Sequence, residues 1–402
     1  MATKILDVDL AYGPQDIQDL SPYRTALILL RWRGKPLGQV QMDILGGRIT
    51  AVDLWRAASA KLDKALVVVA LDELLPTSAE VPVFEEKLPS ASVVICTRNR
   101  TDDLRRCLDT LCTVATKDTE IIVVDNAPSD DSTTRLVTGY PVHYVLEPRK
   151  GLNWARTRGA QVAKGEVVIY TDDDVVVEAG WIKAMLRPFV DPQVAAVTGL
   201  VMPFELETEA QELFEQYGGF GRGFRRREFT AQTILPAAAA NVGAGANMAF
   251  RRQLLNQLGL FAVELDGGTA TQSSGDTYAF YRLLRAGYRI VYDPAAVVWH
   301  RHRRSYGELR KALYGYSVGT YAFLLRCLFQ HRDLQALQVA WYWFHHHHLR
   351  HLRLGVLRHP DAYPLTMTLA ELWGCFIAPY AYFISRRRER RTRLIGVKTP
   401  QT

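Results

Sequence analysis

The chain has few cysteines, and none of them forms a closely spaced pair. Five cysteines occur among 402 residues, an odd number without a CxxC spacing. This pattern argues against a disulfide framework and against structural zinc held by cysteine pairs. The N-terminal segment also lacks the long apolar core of a signal peptide. We therefore expect the main domain of the protein to lie in the reducing cytosol.

Acidic residues are scarce in the last quarter of the chain, where positive charge accumulates. The net charge of +7 conceals this asymmetry, because residues 301–402 hold 17 Lys and Arg against 5 Asp and Glu. Aromatic residues, including Trp341, Trp343 and Trp373, are interleaved with this charge. Such a mixture is typical of a surface that lies on anionic lipid headgroups. Nucleic acids attract the same charge, but the apolar segment that follows favours a membrane partner and no nucleic acid.

The segment Leu365–Ile384 is almost wholly apolar and leads into the basic run Arg386–Arg391. About 20 apolar residues can span a bilayer as a helix. Glu371, Gly374 and Pro379 interrupt the segment and weaken the case for a span. The pattern favours a monotopic or re-entrant helix at the cytoplasmic face of a membrane over a spanning helix or a buried core helix. It leaves oligomerisation through this region open.

Residues 1–75 are predicted to form a small α+β module. Two strand-like segments, Arg24–Arg33 and Gln39–Ile44, flank the stretch Gly34–Gly38, which is typical of a hairpin loop. Thr50–Val67 has a helical pattern. Residues 76–90 combine proline with glutamate and have the composition of a linker.

Between residues 91 and 303, apolar strand-like segments alternate with helical ones. The four predicted strands that open this stretch are Ser92–Cys96, Glu120–Val124, Val142–Leu146 and Glu166–Thr171. The alternation predicts an α/β fold with a mostly parallel central sheet, whose ligands bind beyond the carboxyl ends of the strands. Polar residues follow three of these ends, and residues 304–402 are predicted to be helical.

Three consecutive carboxylates, Asp172, Asp173 and Asp174, come directly after the fourth predicted strand. Like charges this close repel each other unless some are protonated or a cation screens them. Oxygen ligands favour Mg²⁺ or Mn²⁺. The alternative is an exposed acidic turn that opens the next helix, where carboxylates suit the N-terminal dipole.

Two further polar residues each allow two interpretations. Asp125, at the end of the second predicted strand, could cap a turn or accept hydrogen bonds from a nucleobase or ribose. Arg156 could lie on a solvated helix face, or its planar guanidinium could hold a diphosphate or an aspartate. The residues alone do not decide between these roles.

Four segments, taken in order, resemble the family 2 glycosyltransferases. They are Ser92–Arg100, Ile121–Asn126, Asp172–Asp174 and Gly275–Asp276, within a stretch of about residues 92–302. The resemblance implies a nucleotide-sugar-binding fold of the GT-A type and an inverting sugar transfer.

The resemblance also implies roles for individual residues. It places the nucleotide-sugar donor on Thr97, Arg98, Asp125, Asn126, Arg156, Asp172 and Asp173. It further implies that Asp172 and Asp174 bind a divalent cation, Mn²⁺ or Mg²⁺, through the donor's diphosphate. His300, which follows an apolar strand-like segment, resembles the position where some members place a histidine on that metal.

Asp276 matches the position of the family's catalytic base. Inverting transfer needs a carboxylate that takes the proton of the acceptor hydroxyl as its oxygen attacks the anomeric carbon. Asp276 could equally cap the helix that it precedes. The family often has an acidic pair here, but Gly275 occupies the preceding position, so Asp266 is a possible substitute base.

A glycine-rich segment lies between the Asp triplet and Asp276. In the resembled family this region approaches the sugar and the acceptor, and Asn247 is the residue expected to contact the acceptor. Gly218–Arg227, just before it, has the composition of a mobile basic loop.

Four histidines, His345–His348, occur in a row in the basic C-terminal region. Neighbouring residues of an α-helix point in different directions, and only residues three or four apart share a face. No cysteine or acidic residue lies close in sequence. We therefore expect an interfacial belt beside Trp341 and Trp343 and no metal site.

Together these patterns predict a metal-dependent transferase that moves a sugar from a nucleotide-sugar, a UDP-sugar being favoured, to a lipid-linked or polysaccharide acceptor of the cell envelope. A nucleotidyltransferase or sugar-nucleotide pyrophosphorylase is one alternative, but Thr97–Arg100 is not the Gly-rich loop that such enzymes usually carry after the first strand. A non-catalytic, membrane-bound sugar-nucleotide scaffold is another. The presence of Asp125, Asp172, Asp174, Asp276 and His300 argues against the scaffold.

Overall fold

The structure is a computed structural model that describes residues 2–68, 87–359 and 362–396. Most of the predicted linker, residues 76–90, lies outside these described residues. The α/β class and the mostly parallel central sheet are confirmed, together with a small α+β N-terminal module and a helical C-terminal region.

In its described part, the N-terminal module is a three-stranded sheet with one helix packed against it. The elements are β1 (Thr3–Asp9), β2 (Thr25–Trp32), β3 (Lys35–Asp43) and α1 (Ala51–Leu62). The predicted hairpin of β2 and β3 is present, but its turn is tighter than expected. Arg33 and Gly34 alone form the turn, with φ angles of 47° and 78°, the left-handed geometry of two-residue hairpin turns. The residues that follow Gly34 therefore belong to β3.

Nine strands form one mixed sheet in the described part of residues 91–303. Six of them run in the same direction: β4 (Ala91–Thr97), β5 (Thr119–Asn126), β6 (His143–Glu147), β7 (Val167–Asp172), β9 (Val194–Pro203) and β12 (Arg289–His300). Three run the other way: β8 (Val175–Val177), β10 (Arg227–Phe229) and β11 (Asn247–Arg251). The strand order is β10-β12-β9-β11-β7-β4-β5-β6, and β8 pairs with β12.

Helices cover both faces of this sheet and enclose two apolar cores. They are α2 (Thr101–Val114), α3 (Ser132–Val137), α4 (Leu152–Val162), α5 (Trp181–Leu186), α6 (Glu209–Gln216), α7 (Arg252–Leu258) and α8 (Gly275–Arg285). The predicted strands are near-continuous apolar runs because a parallel sheet is buried on both faces. Val93, Ile95 and Ile169, for example, have no exposed surface.

The C-terminal region consists of α9 (Tyr306–His331), α10 (Gln335–Trp343), a π-helical segment (Phe344–Leu349), α11 (Arg350–Val356) and α12 (Leu365–Gly396). The long helices α9 and α12 pack together through Val318, Ala378 and Ala381. In the described residues, Leu365–Glu389 is the helix long and apolar enough to cross a membrane, and 44% of its most apolar window is buried inside the protein.

Candidate active site

The carboxyl ends of the parallel strands bring the predicted polar residues to one edge of the sheet. Thr97 ends β4, Asn126 ends β5, Asp172 ends β7 and His300 ends β12. A cavity of about 360 Å³ opens at this edge, where ligands of open α/β sheets bind. Its lining includes Thr97, Arg98, Arg100, Asn126, the three carboxylates of the Asp triplet, His300 and His302.

Asp172, Asp174 and His300 form a group that can hold a metal ion. One ligand atom from each lies within 4.8 Å of the others, and His300 Nε2 is 3.2 Å from Asp174 Oδ1. Burial alone would raise the pKa of Asp174, but His300 and Arg100 hold that pKa below its usual range. Two carboxylates and an imidazole are ligands that suit a divalent cation such as Mn²⁺. The residues present therefore fit the metal that the sequence predicts.

The middle carboxylate of the triplet is held by the protein itself. The Thr97 hydroxyl donates to Asp173 Oδ2 at 2.7 Å, and Arg100 donates to Oδ1 at 2.7 Å. Burial raises the pKa of Asp173 to about 7. Asp173 therefore ties the triplet to β4 and the loop that follows it through Thr97 and Arg100.

Arg100 is a site residue to which the sequence assigned no role. Its guanidinium donates to Asp173 and, at 2.9 Å, to Asp174 Oδ2, and it also pairs with Asp103. This one cation lowers the repulsion within the triplet without any metal. Its position three residues beyond the end of β4 was the available signal, because that loop lies at the same sheet edge.

The residues predicted to bind the nucleotide differ in their access to the cavity. Arg98 lies on the wall, and its Nε donates to the Ala127 carbonyl at 3.1 Å. Asn126 also lies on the wall. Its Nδ2 donates to the Arg149 carbonyl and its Oδ1 accepts the Gly151 N–H, each at 2.8 Å. Asp125 is fully buried below them, where Tyr144 donates to Oδ2 at 3.1 Å and Oδ1 has no partner among the described residues.

A chain of hydrogen bonds extends from the candidate metal group into the protein. His300 Nδ1 lies 3.1 Å from His302 Nδ1, and His302 Nε2 lies 2.7 Å from Glu215 Oε1. Outer partners of this kind fix the orientation of a metal-binding imidazole. His302 and Glu215 were missed by the sequence reasoning, since Glu215 comes from α6, far from His300 in the chain.

A second cavity, of about 410 Å³, contains Asp276. Phe214, Phe220 and Tyr316 line both cavities, which are therefore adjacent. Asp276 lies in the first turn of α8, where its Oδ1 accepts the Thr277 backbone N–H at 2.8 Å. The N-cap position of α8 is Ser274, so Asp276 is not the cap that the sequence allowed, and it lies in the first turn with access to the cavity.

Arg156 lies close both to the Asp triplet and to Asp276. It is 5% exposed, and its NH2 lies 4.0 Å from Asp172 Oδ1. A Cβ at Gly245 would meet Arg156 NH2 at 2.6 Å and Asp276 Oδ2 at 2.9 Å, so both side chains approach the same point. A side chain at position 245 would displace one or both of them.

The structure does not bring Asn247 to either cavity, which corrects its expected contact with the acceptor. Asn247 is fully buried: its Oδ1 accepts from Trp181 Nε1 at 2.9 Å, and its Nδ2 donates to the carbonyls of Leu200 and Ala296. These bonds satisfy groups at the β9–β12 irregularity. The side-chain amide of Asn247 is buried and all its hydrogen bonds are made within the protein, so its role is structural.

Asp266, the possible substitute base, is engaged elsewhere. It is 2% exposed, and its Oδ2 accepts the Asn153 backbone N–H at 3.0 Å near the start of α4. Burial raises the pKa of Asp266 to about 6. Its role in the structure is to hold α4.

Residues 92–259 match the sequence profile of Glycosyl transferase family 2. This match confirms the resemblance and contains three of its four motifs; Gly275–Asp276 lies beyond it. The chain is 27% identical over 238 residues to a pre-mycofactocin glycosyltransferase of Mycobacterium tuberculosis. The aligned region covers 58% of this chain and 47% of that protein. It is 21% identical over 224 residues to a glucosyl-dolichyl phosphate glucuronosyltransferase of Haloferax volcanii, which covers 52% of this chain and 68% of that protein. The chain thus spans about half the length of the mycobacterial relative.

Two solved structures are similar to this one at low sequence identity. A mannosyltransferase from Pyrobaculum calidifontis, in complex with GDP-Man and Mn²⁺, has a TM-score of 0.45 and 16% identity over 84% of this chain and 88% of that one. GalNAc-T7 with UDP, GalNAc and Mn²⁺ has a TM-score of 0.42 and 18% identity over 59% of this chain and 51% of that one.

Proposed function

The chain carries a domain of glycosyl transferase family 2, and we propose that it transfers a sugar from a UDP-sugar to a hydroxyl of a lipid-linked or polysaccharide acceptor, with inversion at the anomeric carbon. The observation that carries this proposal is the meeting of Asp172, Asp174 and His300 in one cavity, directly beside the cavity of Asp276. We assign the catalytic work to residues 91–303.

The donor binds in the first cavity. Thr97, Arg98 and Asn126 form the wall for the nucleoside, with Asp125 beneath them. Asp172, Asp174 and His300 would hold Mn²⁺ or Mg²⁺, and the bound ion would neutralise negative charge on the diphosphate leaving group. Arg156, next to Asp172, adds a fixed positive charge toward the second cavity.

The acceptor binds in the second cavity. Asp276 takes the proton of the acceptor hydroxyl as its oxygen forms a bond to the anomeric carbon, and the bond from that carbon to the diphosphate oxygen breaks. A nucleoside diphosphate leaves from the opposite face, in the first cavity. Because the two cavities are adjacent, the acceptor and the diphosphate can lie on opposite faces of the sugar, as inversion requires.

Family membership supports sugar transfer over nucleotidyl transfer. In the structure, the segment after β4 holds Asp173 and Asp174 through Arg100 instead of forming a glycine-rich phosphate cradle. The buried, paired carboxylates also argue against a non-catalytic scaffold, because maintaining them costs desolvation energy.

An exposed apolar stripe on α12 supports membrane association, and we propose that the protein works there on the cytoplasmic face, in cell-envelope glycan synthesis. Leu369, Trp373, Phe376, Tyr380 and Phe383 recur at helical spacing and are 47–67% exposed. Their other side packs on α9, so the helix lies along the protein with an apolar face outward. The dolichyl-phosphate relative supports a lipid-linked acceptor.

Membrane binding through this stripe has a direct test. We expect the protein to co-sediment with vesicles containing phosphatidylserine, less so in high salt because basic residues contribute. The variant Trp373→Ser/Phe376→Ser should lose most of this binding, whereas Tyr12→Ser, which removes an 81% exposed aromatic of the N-terminal module, should not. Equal binding by both variants, or conversion of a wild-type dimer into a monomer by the first, would assign the stripe to another partner.

Calorimetric titration of the purified chain with UDP, GDP and their sugar conjugates tests the proposed function. With Mn²⁺ present we expect tight binding of the UDP class, and with EDTA we expect at least about a tenfold loss, since the diphosphate then faces carboxylates without a cation. Binding of neither class under any condition would reject the transferase. Tight binding of GDP instead would reject only the choice of donor.

A further inference from the structure

The histidine tract is only partly exposed, so the predicted interfacial belt cannot include all four histidines. His348 is only 2% exposed, and His347 is half-buried, whereas His346 faces solvent. The tract lies in the π-helical segment Phe344–Leu349, a geometry that occurs often at functional sites. His347 and His348 both lie against Glu371 of α12.

The three side chains converge closely. His347 Nε2 is 3.4 Å from Glu371 Oε2, and His348 Nδ1 is 3.9 Å from the same oxygen. Ligands about 2.05 Å from a tetrahedral zinc ion lie ~3.3 Å apart. The observed separations therefore need only small side-chain movements to accept an ion.

Two of these atoms are buried without a hydrogen-bond partner among the described residues. They are Glu371 Oε2 and His348 Nδ1, on side chains that are 4% and 2% exposed. A buried carboxylate oxygen and a buried imidazole nitrogen without partners cost free energy. A cation placed between them would satisfy both.

We propose that His347, His348 and Glu371 bind a divalent transition-metal ion of the zinc type, independently of the proposed donor site. Two imidazoles and one carboxylate are a common zinc ligand set, and such three-ligand sites keep a fourth position open. All three residues line the cavity that contains Asp276. The open position therefore has access to the cavity in which the acceptor is proposed to bind.

Neighbouring groups orient the ligands. Cys375 Sγ lies 3.3 Å from His348 Nε2, the ring nitrogen on the far side from Glu371. The Tyr217 hydroxyl lies 2.7 Å from His347 Nε2, so it must turn aside or become the fourth ligand when an ion binds. The alternative to a metal site is a cluster in which Tyr217, His347 and Glu371 interact through hydrogen bonds alone.

Zinc binding by the full-length chain tests the proposal. The measurement uses Asp174→Ala protein, which lacks the first candidate metal group, stripped with EDTA and titrated with Zn²⁺ against a chromophoric chelator. We expect one tight equivalent, which Glu371→Gln in the same background weakens by at least about 100-fold. The matched control His346→Gln alters an exposed histidine of the same tract and should retain the full equivalent.

Absence of a tight equivalent in the Asp174→Ala protein, or its survival in the Glu371→Gln variant, would overturn the proposal. Circular dichroism establishes that each variant is folded. If Glu371→Gln does not fold, Co²⁺ added to the Asp174→Ala protein gives an independent readout. The intense visible absorption of four-coordinate cobalt supports the site, and the weak spectrum of the hydrated ion rejects it.

Discussion

Asp276→Asn should reduce sugar transfer by about 10²–10⁴-fold, the usual contribution of a general base, while donor affinity stays within about twofold. The asparagine keeps the size of the side chain and an oxygen that can accept the Thr277 backbone N–H, but it cannot take a proton. The donor cavity is adjacent and does not include Asp276. The measurement is kcat for transfer together with calorimetric donor binding on the same preparation.

Asp266→Asn is the matched control for this experiment. Asp266 is buried and accepts the Asn153 N–H, which an asparagine oxygen can still accept, so its asparagine variant should fold and retain most of the transfer rate. If Asp266→Asn abolished transfer while Asp276→Asn did not, Asp266 would be the base. If neither variant changed kcat, the proposed inverting mechanism would have no carboxylate base and would be wrong.

Asp174→Ala should abolish the metal-dependent part of donor binding, a loss of at least about 100-fold. Asp174 is the residue that joins His300, at 3.2 Å, to Arg100, at 2.9 Å. Without it, Asp172 and His300 remain as two ligands, too few to hold a hard cation against water. Titration of the UDP class with and without Mn²⁺ gives the size of the loss.

The fold of Asp174→Ala should survive with some loss of stability, because the ion pairs of Asp174 are lost but Arg100 keeps its bonds to Asp173 and Asp103. Asp130→Ala, which removes an exposed carboxylate just beyond β5, should leave donor binding unchanged. Metal-dependent binding that persisted in folded Asp174→Ala would place the cation elsewhere. A comparable loss in Asp130→Ala would indicate a general charge effect and no metal site.

The strands that carry the site could be predicted because each is buried on both faces and is therefore a short, nearly continuous apolar run. β4, β5, β6 and β7 lie within one or two residues of their predicted bounds. β9 and β11 were missed. β9 is fully buried, but no polar motif marks its end, and β11 follows a glycine-rich stretch whose antiparallel pairing with β7 and β9 depends on distant partners.

The sequence by itself determined the resemblance to family 2 glycosyltransferases, the α/β class and the sheet edge that carries Asp172, Asp174 and His300. Parallel strands place their carboxyl ends together whatever packs around them. Only the tertiary structure decided that Arg100 pairs with the triplet, that Glu215 supports His302, that Asn247 is buried, and that Glu371 meets His347 and His348. These contacts join residues on separate elements that are 23 to 87 positions apart in the chain. Local periodicity reports which face of an element is buried, but the partner that fills a buried hydrogen bond is set by how helices and sheet pack, and that geometry has no local signature.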